Sequence, residues 1–254
     1  MNIKQKIKSI IGVAYYNAYY RYTKPIGNRI LIYHAFGSKL KHDTYGISID
    51  PKIFEKHLIF LYNNYDVLPL NHNTLDNELS KNSVSITIDD GYKDNLIGIE
   101  ILEKYKIPYT IYIATGFIDK SMYLSKQDLI DISKSALCTL GTHSMNHVHL
   151  STLPKNKQFN ELNDSKKKLE DIIQKQVINF SYPYGDYNNT TREIANSLYE
   201  IITTSNIGIN KIGCDKKKLK RIEIIASDTE NELNKKVNGY YDYLNLSFNT
   251  LKVF

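Results

Sequence analysis

The chain is poor in the residues on which small secreted proteins and loop-rich proteins depend. Its 254 residues include 2 cysteines, 6 prolines, 12 glycines and no tryptophan. Two cysteines cannot build a disulfide framework, and their scarcity suits a reducing compartment. No apolar run approaches the ~20 residues of a membrane-spanning helix. No internal repeat or low-complexity tract is present. These absences argue against a disulfide scaffold and against a linker-rich chain.

The composition indicates a folded domain with a large apolar core. Hydrophobic residues make up 42% of the sequence and charged residues 24%, as in ordinary globular proteins. The length fits one α/β barrel domain. The formal net charge of +6 comes from scattered lysines, without the basic face and nearby aromatic residues that bind nucleic acid. We therefore expect no nucleic-acid partner; weak attraction to an anionic lipid or glycan carrier is the alternative.

The N-terminal segment, residues 1–28, is expected to be an extension built on an amphipathic helix. Its apolar stretch Ile10–Ala14 is shorter than the ~7–15 residues of a signal-peptide core. The apolar residues lie at helical spacing on one face: Ile3, Ile7, Ile10, Ile11, Ala14 and Ala18. Packing on the domain and peripheral membrane contact through residues 1–22 would both use that face, so we expect them to exclude each other.

The location expected from these features is the cytoplasm, with or without membrane contact. The expectation depends on the missing signal peptide and on the low cysteine content. Export through an uncleaved or poor signal is the alternative.

Apolar strand patterns alternate with helical patterns along residues 29–254, which we expect to form one catalytic domain. Such alternation predicts a parallel sheet with helical crossovers and, at this length, a closed barrel. The chemically interesting residues follow strand ends, where barrels of this kind carry their active sites. The predicted strands cover residues 29–33, 65–70, 84–88, 108–114, 136–140, 177–182, 199–204 and 221–226.

Two adjacent carboxylates, Asp89 and Asp90, end the third predicted strand. Neighbouring strand residues point to opposite faces, so both can serve one site only if the strand breaks there. Gly91 permits such a break. A helix cap beside a solvated carboxylate would explain the pair without any chemistry.

Two histidines four positions apart, His143 and His147, follow the fifth predicted strand. They could share a helical face and bind one metal ion, or they could be independent surface or capping residues. His149 is expected to pack beside the pair. His34 by itself would be a buried structural histidine more often than a catalyst. The remaining histidines lack a motif and are expected at the surface: His42, His57 and His72.

Three motifs in a fixed order give these residues a common context. They are Thr-Ile-Asp-Asp-Gly at 87–91, Thr-His-Ser-Met-Asn-His at 142–147 and Ser-Tyr-Pro-Tyr-Gly at 181–185. In this order they resemble the motifs of the polysaccharide deacetylases of carbohydrate esterase family 4, the NodB-homology domain. The resemblance covers residues 29–245. It implies a distorted (β/α)7-type barrel, a divalent metal and removal of acetyl groups from N-acetylated sugars.

The resemblance also implies roles for individual residues. Asp89 resembles the general base, and Ser144 resembles the hydroxyl residue that braces the histidine pair. Tyr184 resembles the residue whose backbone N–H helps to hold the oxyanion, and the adjacent Pro183 is expected to contact substrate. The metal is expected to be zinc, with nickel, cobalt or iron as alternatives. Its implied ligands are Asp90, His143 and His147.

The chain departs from the family pattern at the partner of the base and at the general acid. Where many members carry an arginine before the motif proline, this chain has Ser181, and Arg221 is expected to reach the base or the substrate instead. No histidine follows His149, where many members carry a catalytic one. A permuted subgroup acting on poly-N-acetylglucosamine supplies it in an N-terminal Tyr-His pair. Tyr33-His34 resembles that pair, which implies His34 as general acid and Tyr33 as a substrate contact.

The sequence therefore predicts a metal-dependent N-deacetylase of N-acetylhexosamine units in a surface polysaccharide or its lipid-linked precursor. One alternative is a non-catalytic glycan-binding barrel of the same fold. Another is a different glycan hydrolase that uses Asp89 with a second carboxylate. The latter needs two carboxyl groups ~5–9.5 Å apart across a sugar ring, which the adjacent Asp89 and Asp90 do not easily provide. The oligomeric state stays open.

Overall fold

The computed structural model describes residues 3–23, 25–77 and 82–245, with side chains from residue 6 onward. The strands are β1 (Asn28–Tyr33), β2 (Asp66–Val67), β3 (Ser83–Ile88), β4 (Tyr109–Ile113), β5 (Cys138–Thr142), β6 (Asn179–Ser181), β7 (Ile201–Thr203) and β8 (Arg221–Glu223). The α-helices are α1 (Ile3–Tyr15), α2 (Arg21–Thr23), α3 (Pro51–Asn64), α4 (His72–Asp76), α5 (Asn95–Lys104), α6 (Lys126–Ile132), α7 (Lys155–Ile173), α8 (Asn189–Leu198) and α9 (Glu230–Val237).

The strands form one parallel sheet that curls into a nearly closed barrel. Their order is β7-β6-β5-β4-β3-β1-β8, and the short β2 pairs with the start of β3 outside this path. The segment before β8 also pairs with β7, since Leu219 N donates to the Ile202 carbonyl. The chain near β8 therefore reaches both edges of the sheet. The expected distorted seven-stranded α/β barrel in a single domain is confirmed.

The predicted strand at residues 65–70 forms over only two residues, Asp66–Val67. Leu68 N still donates to the Val84 carbonyl. Pro69 follows, and because proline has no N–H it cannot extend the ladder. The apolar run predicted six strand residues, but the proline within it ends the ladder after Leu68.

The helix α3 packs one face against the barrel and contributes that face to the core. Asp50 caps its first turn by accepting a hydrogen bond from Lys52 N. Its buried residues have the i, i+3, i+4, i+7 spacing of one helical face: Phe54, His57, Leu58 and Leu61. The expectation that His57 lies at the surface is therefore wrong. Burial lowers the pKa of His57, and its Nε2 lies 2.9 Å from the Asp228 carbonyl oxygen.

Helix α1 lies against α9 and the turn after it, and a π-helical turn at Tyr16–Tyr20 connects it to α2. The sequence left two uses open for the apolar face of α1, and packing of that face on the barrel is not observed. Ser9 and Gly12 are buried instead, while Ile7 and Ile10 are exposed. None of the described helices combines the length and apolar character needed to cross a bilayer.

Candidate active site

A cavity of about 730 Å³ opens at the C-terminal ends of the strands. The loops after β1, β3, β4, β5 and β6, together with the end of β8, contribute to its lining. This is the edge at which barrels of parallel strands place their reactive groups. The polar lining residues at its base are His34, Asp89, Asp90, His143, His147 and Glu223.

The chain turns sharply immediately after β3. Asp90 has φ 77° and Gly91 has φ 78°, both in the left-handed region that side chains other than glycine rarely adopt. Because of this turn, Asp89 and Asp90 both line the cavity although they are neighbours in the sequence. The predicted strand break is present, and it begins at Asp90 itself.

Arg221, on β8, holds the Asp89 carboxylate from inside the barrel. Its two terminal nitrogens each donate to one carboxylate oxygen at 2.8 Å. The guanidinium also donates to Ser181 Oγ at 2.6 Å and to Thr87 Oγ1 at 3.1 Å. Its Nε donates to the Thr204 carbonyl oxygen at 3.0 Å. All five donors of Arg221 are therefore directed at groups of the barrel, and the bidentate geometry fixes the orientation of the carboxylate.

The electrostatics of this pair keep the Asp89 carboxylate ionised. Burial by itself would raise the pKa of Asp89, but the Arg221 guanidinium, with a further contribution from His143, more than offsets it. The net effect is a pKa below the usual value. The ionised carboxylate keeps lone pairs that Arg221 does not use, and one of them can accept a proton from a group in the cavity.

His143 follows directly after β5 and is almost completely buried. Its Nδ1 lies 2.7 Å from the Ser181 carbonyl oxygen. A carbonyl only accepts, so Nδ1 carries the proton and the lone pair is on Nε2. Burial lowers the pKa of His143 to about 4, which keeps the ring neutral. Neutral imidazole with a fixed tautomer is the form in which histidine binds metals.

His147 reaches the same point through a loop, and the two histidines do not share a helical face, which was one of the possibilities that the sequence left open. Ser144 and His147 have φ 61° and 50°, which no α-helix contains. Ser144 Oγ accepts a hydrogen bond from His147 N at 3.1 Å, which is the bracing expected of that serine. Nε2 of His147 lies 3.1 Å from Asp90 Oδ1, and its Nδ1 lies 3.1 Å from Tyr184 Oη.

Asp90, His143 and His147 converge as a metal site requires. One ligand atom of each lies within 4.8 Å of the others. The Asp90 oxygen lies 3.1 Å from one imidazole nitrogen and 3.6 Å from the other. These separations bracket the ~3.4 Å between ligands bound tetrahedrally at ~2.0–2.1 Å. That oxygen is buried and makes no well-aligned hydrogen bond to a described residue, so the donor set fits a divalent cation.

The charges at this cluster favour the same interpretation. Burial opposes ionisation of Asp90, but His147 and His34 outweigh it and leave the pKa of Asp90 below its usual value. Burial also disfavours protonated His147, but Asp90 more than compensates and raises the pKa of His147. A negative oxygen surrounded by imidazoles attracts a positive charge, whether a proton or a metal ion.

His34 lies at the end of β1 and lines the same cavity. Its Nδ1 is 3.9 Å from Glu223 Oε1, and the same carboxylate oxygen accepts a hydrogen bond from Tyr45 Oη at 3.2 Å. We did not predict Glu223. The signal was available, because residues two apart on a strand share a face and Glu223 follows Arg221 by two positions on β8.

Three residues expected to contact substrate lie elsewhere. Tyr33 is fully buried, with its ring 4.9 Å from that of Phe54. Since His34 faces the cavity, its neighbour on the strand must face the helices. Pro183 is buried in the turn after β6. Arg221 is buried against Asp89 and does not line the cavity. Of the two roles expected of Arg221, contact with the base is the one that the geometry supports.

An aromatic wall on one side of the cavity was also missed. Tyr92 and Tyr123 stack with ring centroids 5.2 Å apart, and Phe117 packs 4.8 Å from Tyr123. His42 is exposed, as expected, and it also lines the cavity, with its Nε2 2.9 Å from Tyr92 Oη. Tyr92 directly follows Gly91, so its place beside the motif could have been predicted from the sequence. The others come from loops that no motif connects to the site.

Tyr184 lines the cavity at an exposed position, and His149 lies against it. Tyr184 has φ 58° and an exposed side chain. His149, expected to pack beside the histidine pair, stacks on the Tyr184 ring with centroids 4.3 Å apart. Its side chain is 60% exposed, so this is a surface contact at the cavity mouth and not core packing.

Comparisons with known proteins agree with this geometry. The family model described as polysaccharide deacetylase matches residues 76–199, a range that contains the three motifs but neither His34 nor Arg221. YxkH of Bacillus subtilis (strain 168), whose name assigns it to the polysaccharide deacetylases, is 29% identical over 76% of this chain and 69% of its own length.

Two further matches extend this similarity. A poly-beta-1,6-N-acetyl-D-glucosamine N-deacetylase of Staphylococcus aureus (strain MRSA252) is 33% identical over 43% of this chain. The match spans only 42% of that relative's length. The structure of the Streptococcus pyogenes deacetylase PplD in complex with acetate superimposes with a TM-score of 0.74 and 26% identity, covering 84% of this chain and 99% of PplD.

The barrel and its site define a glycan-modifying hydrolase of the α/β-barrel class. Over residues 76–199 the chain matches the polysaccharide deacetylase family, carbohydrate esterase family 4, and it is similar to relatives named for that activity. Members of this family hydrolyse the amide bond of N-acetyl groups. The chain is therefore an enzyme acting on carbon–nitrogen bonds.

We predict that Arg221→Met lowers the free energy of unfolding by about 3–5 kcal/mol, because it leaves the buried Asp89 carboxylate without its partner. Both side chains are nearly inaccessible, at 1% and 4% exposure. Urea unfolding measures the change. Adding Asp89→Asn to this variant should restore part of the loss.

The matched control is Lys134→Met, which breaks the exposed pair with Asp131 and should barely move the unfolding midpoint. If Arg221→Met were as stable as the wild type, Asp89 would have to find water or another cation, and its orientation would not depend on Arg221.

Proposed function

We propose that the protein is a metal-dependent N-deacetylase of N-acetylhexosamine units in a surface glycan or its lipid-linked precursor. The observation that carries this proposal is the convergence of four groups on one cavity. They are an oriented carboxylate, a metal-type ligand cluster, an exposed turn after β6 and a separate histidine. Amide hydrolysis needs a base, an electrophilic activator, an oxyanion site and an acid for the leaving amine, and this set supplies one candidate for each.

The metal would be held by Asp90, His143 and His147. Three protein ligands with remaining positions open to water and substrate are typical of catalytic zinc sites. Zinc is the ion that we propose, with nickel, cobalt or iron as alternatives for the same nitrogen and oxygen donors. When bound, the ion supplies Lewis acidity that polarises the acetyl carbonyl and lowers the pKa of water.

The residues of the chain divide the proton transfers between them. Asp89, held by Arg221 through both oxygens, removes a proton from the attacking water. The backbone N–H of Tyr184 donates to the oxyanion that develops on the acetyl carbonyl oxygen. His34 donates a proton to the departing amine nitrogen, so that acetate and a free amino sugar leave. The buried Arg221 keeps the proton acceptor ionised before each turnover.

The shape of the cavity supports a sugar substrate. Aromatic rings form one wall, and Tyr184 with His149 forms the exposed side of the mouth. Sugar rings present C–H faces that pack on aromatic side chains, and their hydroxyl groups need polar partners at the edges. The relative in Staphylococcus aureus is named for poly-beta-1,6-N-acetyl-D-glucosamine. A polymer or oligomer of N-acetylglucosamine is therefore the first substrate to test.

We predict that acetate release from N-acetylglucosamine oligomers stops on treatment with a chelator and returns when zinc is added. His147→Gln should weaken zinc binding by more than the ~10–100-fold that loss of an outer-shell partner costs, because it removes a ligand. Isothermal titration with zinc and an enzymatic acetate assay measure the two effects.

The control for this prediction is His72→Gln, which changes an exposed histidine paired with Glu200. It should bind zinc and release acetate like the wild type. Zinc binding without acetate release from any N-acetylated glycan would favour the non-catalytic glycan-binding barrel. Release of reducing sugar ends in place of acetate would favour the other glycan hydrolase.

We predict that His34→Ala lowers kcat by about 10²–10⁴-fold, the usual contribution of a general acid or base. Zinc affinity should not change, because His34 is not among the three clustered ligand residues. Steady-state kinetics combined with zinc titration separate the two properties. If His34→Ala turned over like the wild type, His34 would not be the general acid. Water or another group of the cavity would then protonate the amine.

We further propose that the enzyme acts in the cytoplasm on a nucleotide- or lipid-linked sugar before export. The low cysteine content, with 2 cysteines in 254 residues, supports this location. A fusion of residues 1–28 to a reporter that is active only after export tests it. Reporter activity would overturn the cytoplasmic assignment and favour the exported alternative.

A further inference from the structure

Helix α1 has two faces, and the barrel uses only the more polar one. Ser9, Gly12 and, after the π-helical turn, Tyr20 are buried. The apolar face on the other side is open to solvent. Its exposed fractions are 52% at Ile7, 70% at Ile10, 46% at Ile11 and 38% at Val13, and Ala14 is also exposed.

The buried face is firmly docked. Ser9 Oγ donates to Glu232 Oε1, in the first turn of α9, at 3.2 Å. The Tyr16 ring stacks on Tyr240 with centroids 4.0 Å apart and planes at 10°. Gly12 lies so close to the chain that an added Cβ would be 2.6 Å from the Tyr240 carbonyl oxygen. The helix therefore cannot simply roll to bury its isoleucines against the barrel.

The two faces lie opposite each other. Each buried or half-buried position follows an exposed apolar one by two places: Ser9 follows Ile7, Gly12 follows Ile10 and Tyr16 follows Ala14. Two places turn an α-helix by roughly 200°. The exposed set has the i, i+3, i+4, i+7 spacing of one continuous stripe. A stripe of this kind on the surface of a soluble domain marks a contact that the isolated chain does not make.

The charges beside the stripe indicate what covers it. Lys6 and Lys8 are exposed, and by helical position they fall on opposite sides of the isoleucine stripe. The segment Ile3–Tyr15 contains no acidic residue. Beyond it, Tyr19 and Tyr22 are 55% and 80% exposed. Isoleucines flanked by lysines, with tyrosines at one end, match a helix that lies in the headgroup region of an anionic bilayer.

We propose that α1 binds the surface of an anionic membrane through Ile7, Ile10, Ile11 and Ala14 while its opposite face stays docked on the barrel. Lysine side chains on both flanks would reach the lipid phosphates as the isoleucines enter the acyl boundary. This inference goes beyond the deacetylase proposal and does not depend on it.

The docking also orients α1 along the barrel, with Ser9 beside the first turn of α9 and Tyr16 beside Tyr240, beyond the end of α9. Helix α9 follows β8, whose end carries Glu223 at the cavity. The start of α1 is therefore on the same side of the barrel as the cavity mouth. If the proposed function holds, the bilayer would lie beside the barrel wall that carries α9, on the side of β8 and Glu223.

The test is flotation of the full chain with vesicles of equal parts phosphatidylglycerol and phosphatidylcholine. The wild type should float, and Ile7→Glu/Ile11→Glu should float at least ~10-fold less, because two charges enter the stripe. The matched control is Ile59→Glu/Ile97→Glu, at isoleucines exposed by 40% and 44% on α3 and α5. It should float like the wild type. Phosphatidylcholine vesicles or high salt should weaken binding.

Point substitutions are preferable to deletion of residues 1–22, because Tyr20 accepts a hydrogen bond from the buried Arg29 at 2.8 Å. Equal flotation of wild type and Ile7→Glu/Ile11→Glu would overturn the proposal. So would a wild type that does not float but forms a dimer that this variant abolishes, since a second copy would then cover the stripe.

Activity on a soluble N-acetylglucosamine oligomer is measured in parallel. It should be the same in the wild type and in Ile7→Glu/Ile11→Glu. Failure of the membrane proposal would therefore appear in the flotation experiment, and failure of the deacetylase proposal would appear in the activity assay.

Discussion

The arrangement of the site depends on one buried guanidinium. Arg221 enters the barrel from β8 and makes hydrogen bonds to Thr87 on β3, Asp89 beyond it, Ser181 on β6 and Thr204 beyond β7. Strands that are distant in the sheet order are thus tied together below the cavity. The same contacts orient and ionise the carboxylate that faces the cavity. An unpaired charge at either position would be costly inside the barrel, so fold and site constrain each other here.

A second constraint comes from the backbone at the strand ends. Asp90, His147 and Tyr184 all have positive φ, a conformation that costs about 1–3 kcal/mol for residues other than glycine. Each of these residues follows a different strand, and the positive φ directs a group of each residue into the cavity. Such strain persists only where the surroundings determine it, and here the buried barrel strands and the bond from His147 N to Ser144 Oγ do so. The folded barrel thereby holds Asp90, His147 and Tyr184 together, although they lie on three different loops.

Local pattern was enough to predict much of the fold and part of the site. The alternation of strands and helices gave the barrel class, and motif order brought Asp89, Asp90, His143 and His147 to one rim. The alternation of side chains along a strand also predicts two positions that were missed. It places Tyr33 on the face opposite to His34, and Glu223 on the same face as Arg221. Other errors arose where one residue overrides a pattern, as Pro69 does by removing a strand hydrogen bond.

The sequence by itself determined which residue types stand at the strand ends and that α1 carries an apolar stripe beside lysines. Tertiary structure alone decided how they are used. The partner of Asp89 is 132 positions away, and nothing local encodes a contact at that separation. Likewise, periodicity shows that a helix has an apolar face but not whether the barrel covers it. Close approach at Gly12 and stacking on Tyr240 selected the other face, because packing depends on the shape of both surfaces and not on apolar area alone.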